Sequence, residues 1–231
     1  MVTEWRSRRV SNIIAKTAPL RLLPGLHTVL HVIPFKPSDA GERFDAIVSS
    51  FHKRGALQPV FSSSVYTSQC NSDGYLIHSG LTASGSVGSY LQVFRNGALE
   101  SVNTFARRDP AIHPKRIPSL ETEIQLLKRI PQYFDLLKHI GVQPPVVLGL
   151  SLIGVEGYSM EIPVVAAPVR IHRNPRIKND TLFLPDVVAE TFQCCLGKAF
   201  KPAFDAMWRA AGWEGSIFYD DAEWVGLAHV S

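Results

Sequence analysis

Apolar residues at Leu120, Ile124, Leu127, Phe134 and Leu137 are spaced by threes and fours or their sum, which predicts one face of an amphipathic helix over 119–139. Pro118-Ser119 offers an N-cap, Glu121 and Glu123 lie in the first turn, Lys138 and His139 in the last, and Gly141 is a natural stop. Pro131 cannot donate to the helical ladder, but the apolar face continues across it, so one kinked helix is expected. A second helix is expected over 198–212, with Phe200, Phe204, Met207 or Trp208, and Ala211 on its apolar side, Pro202 near its start and Gly212 at its end. The first helical segment, 4–16, is more polar, with Trp5, Ile13 and Ile14 facing Arg6, Arg8, Arg9 and Lys16. Residues 1–18 therefore read as a linker or docking helix ahead of a single domain over 19–231.

Between these helices the pattern shortens to that of strands. Thr28–Phe35 is a β-like run that Pro34 either ends or places at a sheet edge. Asp73-Gly74 reads as a turn into Tyr75–His78. Asn96-Gly97 between Tyr90–Arg95 and Ala98–Val102 is the signal of a two-residue hairpin turn, which would set Phe94 opposite Leu99 and Leu91 opposite Val102. Val146–Val155 and Tyr158–Val164 read as a further hairpin around Gly157, and Leu182–Leu184 as a short strand. Residues 36–72 are the least legible, beyond a helical turn at 42–52. Helix, strands, hairpin, long helix, strands, helix is an α+β order, an antiparallel or mixed sheet covered by the long helix and the C-terminal helix. It lacks the regular alternation of a Rossmann fold.

With 231 residues the chain can bury one sizeable core. Its net charge of +4 is unevenly spread. Residues 105–178 hold eleven Lys/Arg against six Asp/Glu, whereas 205–231 hold one against five. A basic body with an acidic end suits nucleic acid, an acidic partner, or a second copy of the chain. The candidate nucleic-acid residues are Arg107, Arg108, Lys115 and Arg116, with Arg170, His172, Arg173, Arg176 and Lys178 from a basic, proline-containing loop. Trp5, Trp208, Trp213 and Trp224 are candidates for a protein-docking surface, the last three beside the acidic end. An odd count of cysteines, Cys70, Cys194 and Cys195, suits a reducing compartment, and no apolar run reaches membrane-spanning length, so a cytoplasmic location is expected.

No motif of catalytic, metal-binding or cofactor chemistry is legible. Ser79–Gly88 is rich in Gly and Ser, but it has neither the lysine nor the strand-to-helix context of a phosphate loop, and reads as a turn entering the sheet. His27 and His31 lie on one strand face but about 13 Å apart, which favours hydrogen bonding over a shared metal. Cys194-Cys195 reads as a buried thiol pair, and Asp205, Asp220, Asp221 and Glu223 as a solvated acidic end. Ser151 in Gly149-Leu-Ser-Leu-Ile-Gly154 departs from the nucleophile-elbow pattern.

Several phrases occur in an order that resembles a known family: Leu30-His-Val-Ile-Pro34, Ser89-Tyr-Leu-Gln-Val-Phe-Arg-Asn-Gly97, Ile117-Pro-Ser-Leu-Glu121, Gly141-Val-Gln-Pro-Pro-Val-Val147 and Leu150-Ser-Leu-Ile-Gly-Val-Glu-Gly-Tyr158. With Pro202–Gly212 before Tyr219-Asp220, they look like the region that follows the AlbA-like domain in bacterial Schlafen-type proteins, described as DNA-binding or ATP-binding. The resemblance spans most of 5–224 and carries no catalytic residue. It implies an accessory or protein-interaction domain of a nucleic-acid-associated system. It also implies that Trp5–Ala15 descends from an AlbA-like domain which is not in this sequence.

Overall fold

The computed structural model describes residues 2–61, 66–106, 115–163 and 175–226. Its centre is an antiparallel sheet of eight strands. β1 (Gly25–Pro34) and β7 (Val146–Ile153) lie side by side, and β5 (Leu99–Ala106), β4 (Ser89–Phe94), β3 (Gly74–Ser79) and β2 (Tyr66–Asn71) follow outward from β1. On the other side β7 pairs with both β9 (Thr181–Phe183) and β10 (Val187–Ala189). β1 is thus a central strand, and Pro34 is its last residue, where a missing N–H costs least.

The two-residue period of the strands sorts side chains onto two faces. Leu26, Leu30, Leu91, Leu99, Leu148, Leu150 and their neighbours form the larger core, under α2 (Phe44–Lys53), α3 (Ser119–His139) and α4 (Leu196–Ala210). The opposite face carries Val29, Leu76, Tyr90, Val102 and Ile153, and α1 (Val2–Ile14) covers it with Val10 and Ile13. This is an α+β fold with its sheet partly covered by helices. α3 runs as one helix with Pro131 inside it, and α4 buries Phe200, Phe204, Met207 and Trp208.

Three local expectations are corrected. Val93 lies opposite Leu99 and Tyr90 opposite Val102, one residue from the expected register. The connection has three residues: Gly97 N–H bonds to the Phe94 carbonyl and Phe94 N–H to the Ala98 carbonyl, each at 2.8 Å. Gly97 takes φ +87, the left-handed angle such a loop needs. Secondly, β7 does not fold back on the Tyr158 segment. β8 (Ser159–Met160) pairs in parallel with β6 (Arg116–Ile117), because β1, β9 and β10 already occupy both sides of β7. Thirdly, Ser119 does not cap α3. Its hydroxyl donates to the Glu161 carbonyl, securing the β8 end instead.

Candidate nucleic-acid interface and two buried polar clusters

The β6–β8 pairing brings together two of the basic segments marked in the sequence. Ser159 N–H bonds to the Lys115 carbonyl at 3.1 Å and Glu161 N–H to the Ile117 carbonyl at 2.8 Å. From the other side, Ile177 and the 155–158 turn exchange bonds: Ile177 N–H to the Tyr158 carbonyl and Gly157 N–H to the Ile177 carbonyl, both 2.8 Å. The result places Lys115 and Arg176 on consecutive carbonyls of one turn. The Lys115 ammonium donates to Glu156 O at 3.1 Å and lies 5.6 Å from the Tyr158 ring centre. The Arg176 guanidinium donates to Gly157 O at 3.3 Å. Arg116 and Lys178 are exposed beside them. Neither Lys115, which is half-buried, nor the exposed Arg116, Arg176 and Lys178 makes an ion pair with a carboxylate among the described residues. Arg107, Arg108, Arg170, His172 and Arg173 lie outside the described residues.

Of the four tryptophans, Trp208 is fully buried, and the expectation that it meets a partner is corrected: its ring packs edge-on against Trp213 and Phe218, inside the α4 core. Trp5, Trp213 and Trp224 are half-buried. Trp5 sits edge-on to His31 and Phe94, packed onto its own sheet. The cysteine pair is also corrected. Cys195 is exposed and Cys194 half-buried, because they precede α4 in a surface turn. Asp205, expected to be solvated, is buried, accepting from Ser216 N–H at 2.9 Å and pairing with Lys201 at 2.9 Å.

Two polar clusters that the sequence did not advertise lie on opposite faces of the sheet. Under α1, Arg9 grips both carboxylate oxygens of Glu100 at 2.8 and 2.7 Å, the Tyr90 hydroxyl donates to the same group at 2.7 Å, and His31 Nε2 lies 2.9 Å from it. Burial alone would push the Glu100 carboxyl up, but the hydrogen bonds from Arg9 and His31 outweigh it and hold it down at about 2. One turn earlier, Arg6 donates to Ser151 Oγ, to the carbonyls of Leu150 and Leu184 and to Asp186. Gly149 makes room for it, since a Cβ there would come within 2.9 Å of the Arg6 side chain. Polar residues of α1 are thus its anchors.

On the other face, Glu123 is wholly buried and has no cationic partner among the described residues. Trp208 Nε1 and the Ser216 hydroxyl donate to one of its oxygens at 3.0 and 2.8 Å, and Trp224 Nε1 to the other at 2.8 Å. Desolvation dominates these three neutral donors and pushes its pKa up to about 7. The cluster ties α3, α4 and the 213–226 segment together.

Comparison with protein families, curated proteins and solved structures returned no match. Among the described residues no three His, Cys, Asp or Glu side chains group as metal ligands, and no helix is long and apolar enough to cross a membrane. The site chemistry therefore rests on the residues themselves: one buried cluster that fastens α1 to the sheet, one that joins α3, α4 and the 213–226 segment, and a basic edge without carboxylate partners among the described residues.

Proposed function

We propose that this chain is a non-catalytic accessory domain of a nucleic-acid-associated system, of the kind the Schlafen-type resemblance implies, and that it contacts nucleic acid through its basic edge. The observation that carries this reading is the placement of Lys115 and Arg176 on adjacent carbonyls of the 156–157 turn, with Arg116 and Lys178 exposed beside them. Segments 107–116 and 170–178 together hold eight Lys/Arg against one Asp. Cations held by backbone carbonyls rather than carboxylates keep their charge available to phosphates, which supply most of the affinity in sequence-independent binding. The buried carboxylates support the non-catalytic part, because Glu100 and Glu123 are each saturated by donors that fasten secondary structure. A protein partner, an upstream AlbA-like domain or a second copy would add to this edge rather than replace it.

The test is binding of labelled duplex DNA and single-stranded RNA by the chain and by an Arg116→Glu, Arg176→Glu variant. These exposed positions leave the fold intact, and the variant is expected to lose at least tenfold in affinity. Equal binding by both proteins, or none by either at low salt, overturns the assignment.

A further inference from the structure

A cleft of about 340 Å³, lined by none of the basic-edge residues, lies between the end of α1, the 18–25 segment, the Gly/Ser loop 79–88 and the ends of β1 and β7. Its walls are held by backbone bonds. Leu23 N–H bonds to the Val87 carbonyl at 2.9 Å and Val87 N–H to the Arg21 carbonyl at 2.8 Å, joining the segment to the loop. The loop closes on itself through Thr82, whose Oγ1 accepts from Ser86 N–H at 3.1 Å. Ile13, Leu20, Leu22, Leu23 and Ile153 supply an apolar wall. The volume is at the small end of the range of about 300–1,000 Å³ usual for ligand clefts.

The polar groups of this cleft are unbalanced in favour of positive charge. Lys16 and Arg21 line it against one carboxylate, Asp180, and neither cation makes an ion pair among the described residues. Lys16 also stands where a helix ordinarily ends in glycine. Its N–H bonds back to the Ile13 carbonyl, Thr17 N–H bonds to the Asn12 carbonyl, and its own φ is +61. A side chain is disfavoured at that angle, and non-glycine residues held there cluster at ligand sites. His27 adds a donor. Its Nδ1 lies 3.1 Å from Thr104 Oγ1, and burial lowers its pKa, which favours the neutral ring. With the Thr104 hydroxyl donating to Nδ1, Nε2–H has no partner among the described residues.

We propose that this cleft binds a small amphipathic organic anion, a carboxylate or phosphate monoester head on a short apolar chain. The head sits between Lys16 and Arg21, within reach of the Ser84 and Ser86 hydroxyls, and the chain lies along the isoleucine and leucine wall. The apolar wall excludes a free inorganic anion as the preferred ligand, because its burial contributes only when the ligand has a chain to bury.

Calorimetric titration of the full chain with hexanoate, hexyl phosphate and inorganic phosphate tests this and separates the two head groups. Saturable one-site binding is expected for at least one hexyl ligand, at least tenfold tighter than inorganic phosphate. Lys16→Gly relieves the left-handed backbone, so it should melt at or above the wild-type temperature and yet bind the hexyl ligand at least tenfold more weakly. Arg21→Gln should weaken it likewise. Nucleic-acid binding by Lys16→Gly should be unchanged, which keeps this site distinct from the basic edge. No saturable binding of either hexyl ligand up to roughly 10 mM, tenfold weaker than a millimolar Kd, overturns the proposal. Unchanged affinity in Lys16→Gly, or inorganic phosphate binding as tightly as its hexyl ester, also overturns it.

Discussion

Raising the pH from 4.5 to 8 should progressively destabilise this fold through Glu123. Its carboxyl has an ordinary value of 4.5 in the unfolded chain and is pushed up to about 7 in the folded protein, chiefly by burial. Between those values the folded state holds a proton that the unfolded state has lost, so stability falls as pH rises. One pKa unit corresponds to about 1.4 kcal/mol, which makes the loss on the order of 3 kcal/mol, complete just above pH 7. The sign is opposite to that of Glu100, whose depressed pKa gives stability that is full above 4.5 and lost as pH falls towards 2. His27, lowered by burial, opposes Glu123 within part of the same window. The assay is therefore a difference: urea unfolding of the wild type and of Glu123→Gln at pH values from 4.5 to 8. Any fixed cost of the amide facing Trp224, and the contributions of groups that do not interact with Glu123, cancel in the pH dependence of that difference. The wild type should lose about 3 kcal/mol relative to the variant across the range. A flat difference, or one that grows in favour of the wild type, would show that the three donors hold Glu123 as a comfortable carboxylate and refute the reasoning.

Two further outcomes follow from the packing around α1 and Gly97. Arg9→Met leaves Glu100 buried with one cationic partner removed, and should cost about 3–5 kcal/mol in denaturant unfolding, with loss of less than 1 kcal/mol assigning α1 only a marginal hold on the sheet. Gly97→Ala meets both a φ of +87 and Val142 Cγ2 at 2.5 Å from the added Cβ. It should destabilise by more than about 1 kcal/mol, and a neutral result in thermal melts would contradict the three-residue loop.

What the sequence disclosed was mostly local. The long apolar period around Ile124 and Phe134 and the run Val146–Ile153 are legible because burial on one face, or on both, leaves a direct mark on composition. Pairing partners are less legible. The apolar run of β7 does not say which strands flank it, and the strand nearest in sequence is not its partner. β2 is illegible because Tyr66–Asn71 is an edge strand whose alternation is carried by polar residues. The hairpin register turned on a single residue, the difference between a two-residue and a three-residue loop around Gly97. The same limits apply to the sites. Lys115 and Arg176 can each be marked as basic, but only the β6–β8 pairing together with the bonds of Ile177 to the 155–158 turn sets them on one turn. Glu123 resembles any acidic residue near the start of a helix. Its burial depends on Trp208, Ser216 and Trp224, which come 85 to 101 positions later.

The central claim is that the basic edge meets phosphates. Its most direct test is the salt dependence of nucleic-acid affinity, measured by fluorescence anisotropy between about 50 and 200 mM salt. Neutralising about four phosphates, one for each of Lys115, Arg116, Arg176 and Lys178, predicts a logarithmic slope of roughly −3 to −4 on duplex DNA. Replacing Arg176 and Lys178 by Glu should reduce the slope by about two. An affinity indifferent to salt, or a slope that the double replacement leaves unchanged, would contradict the account.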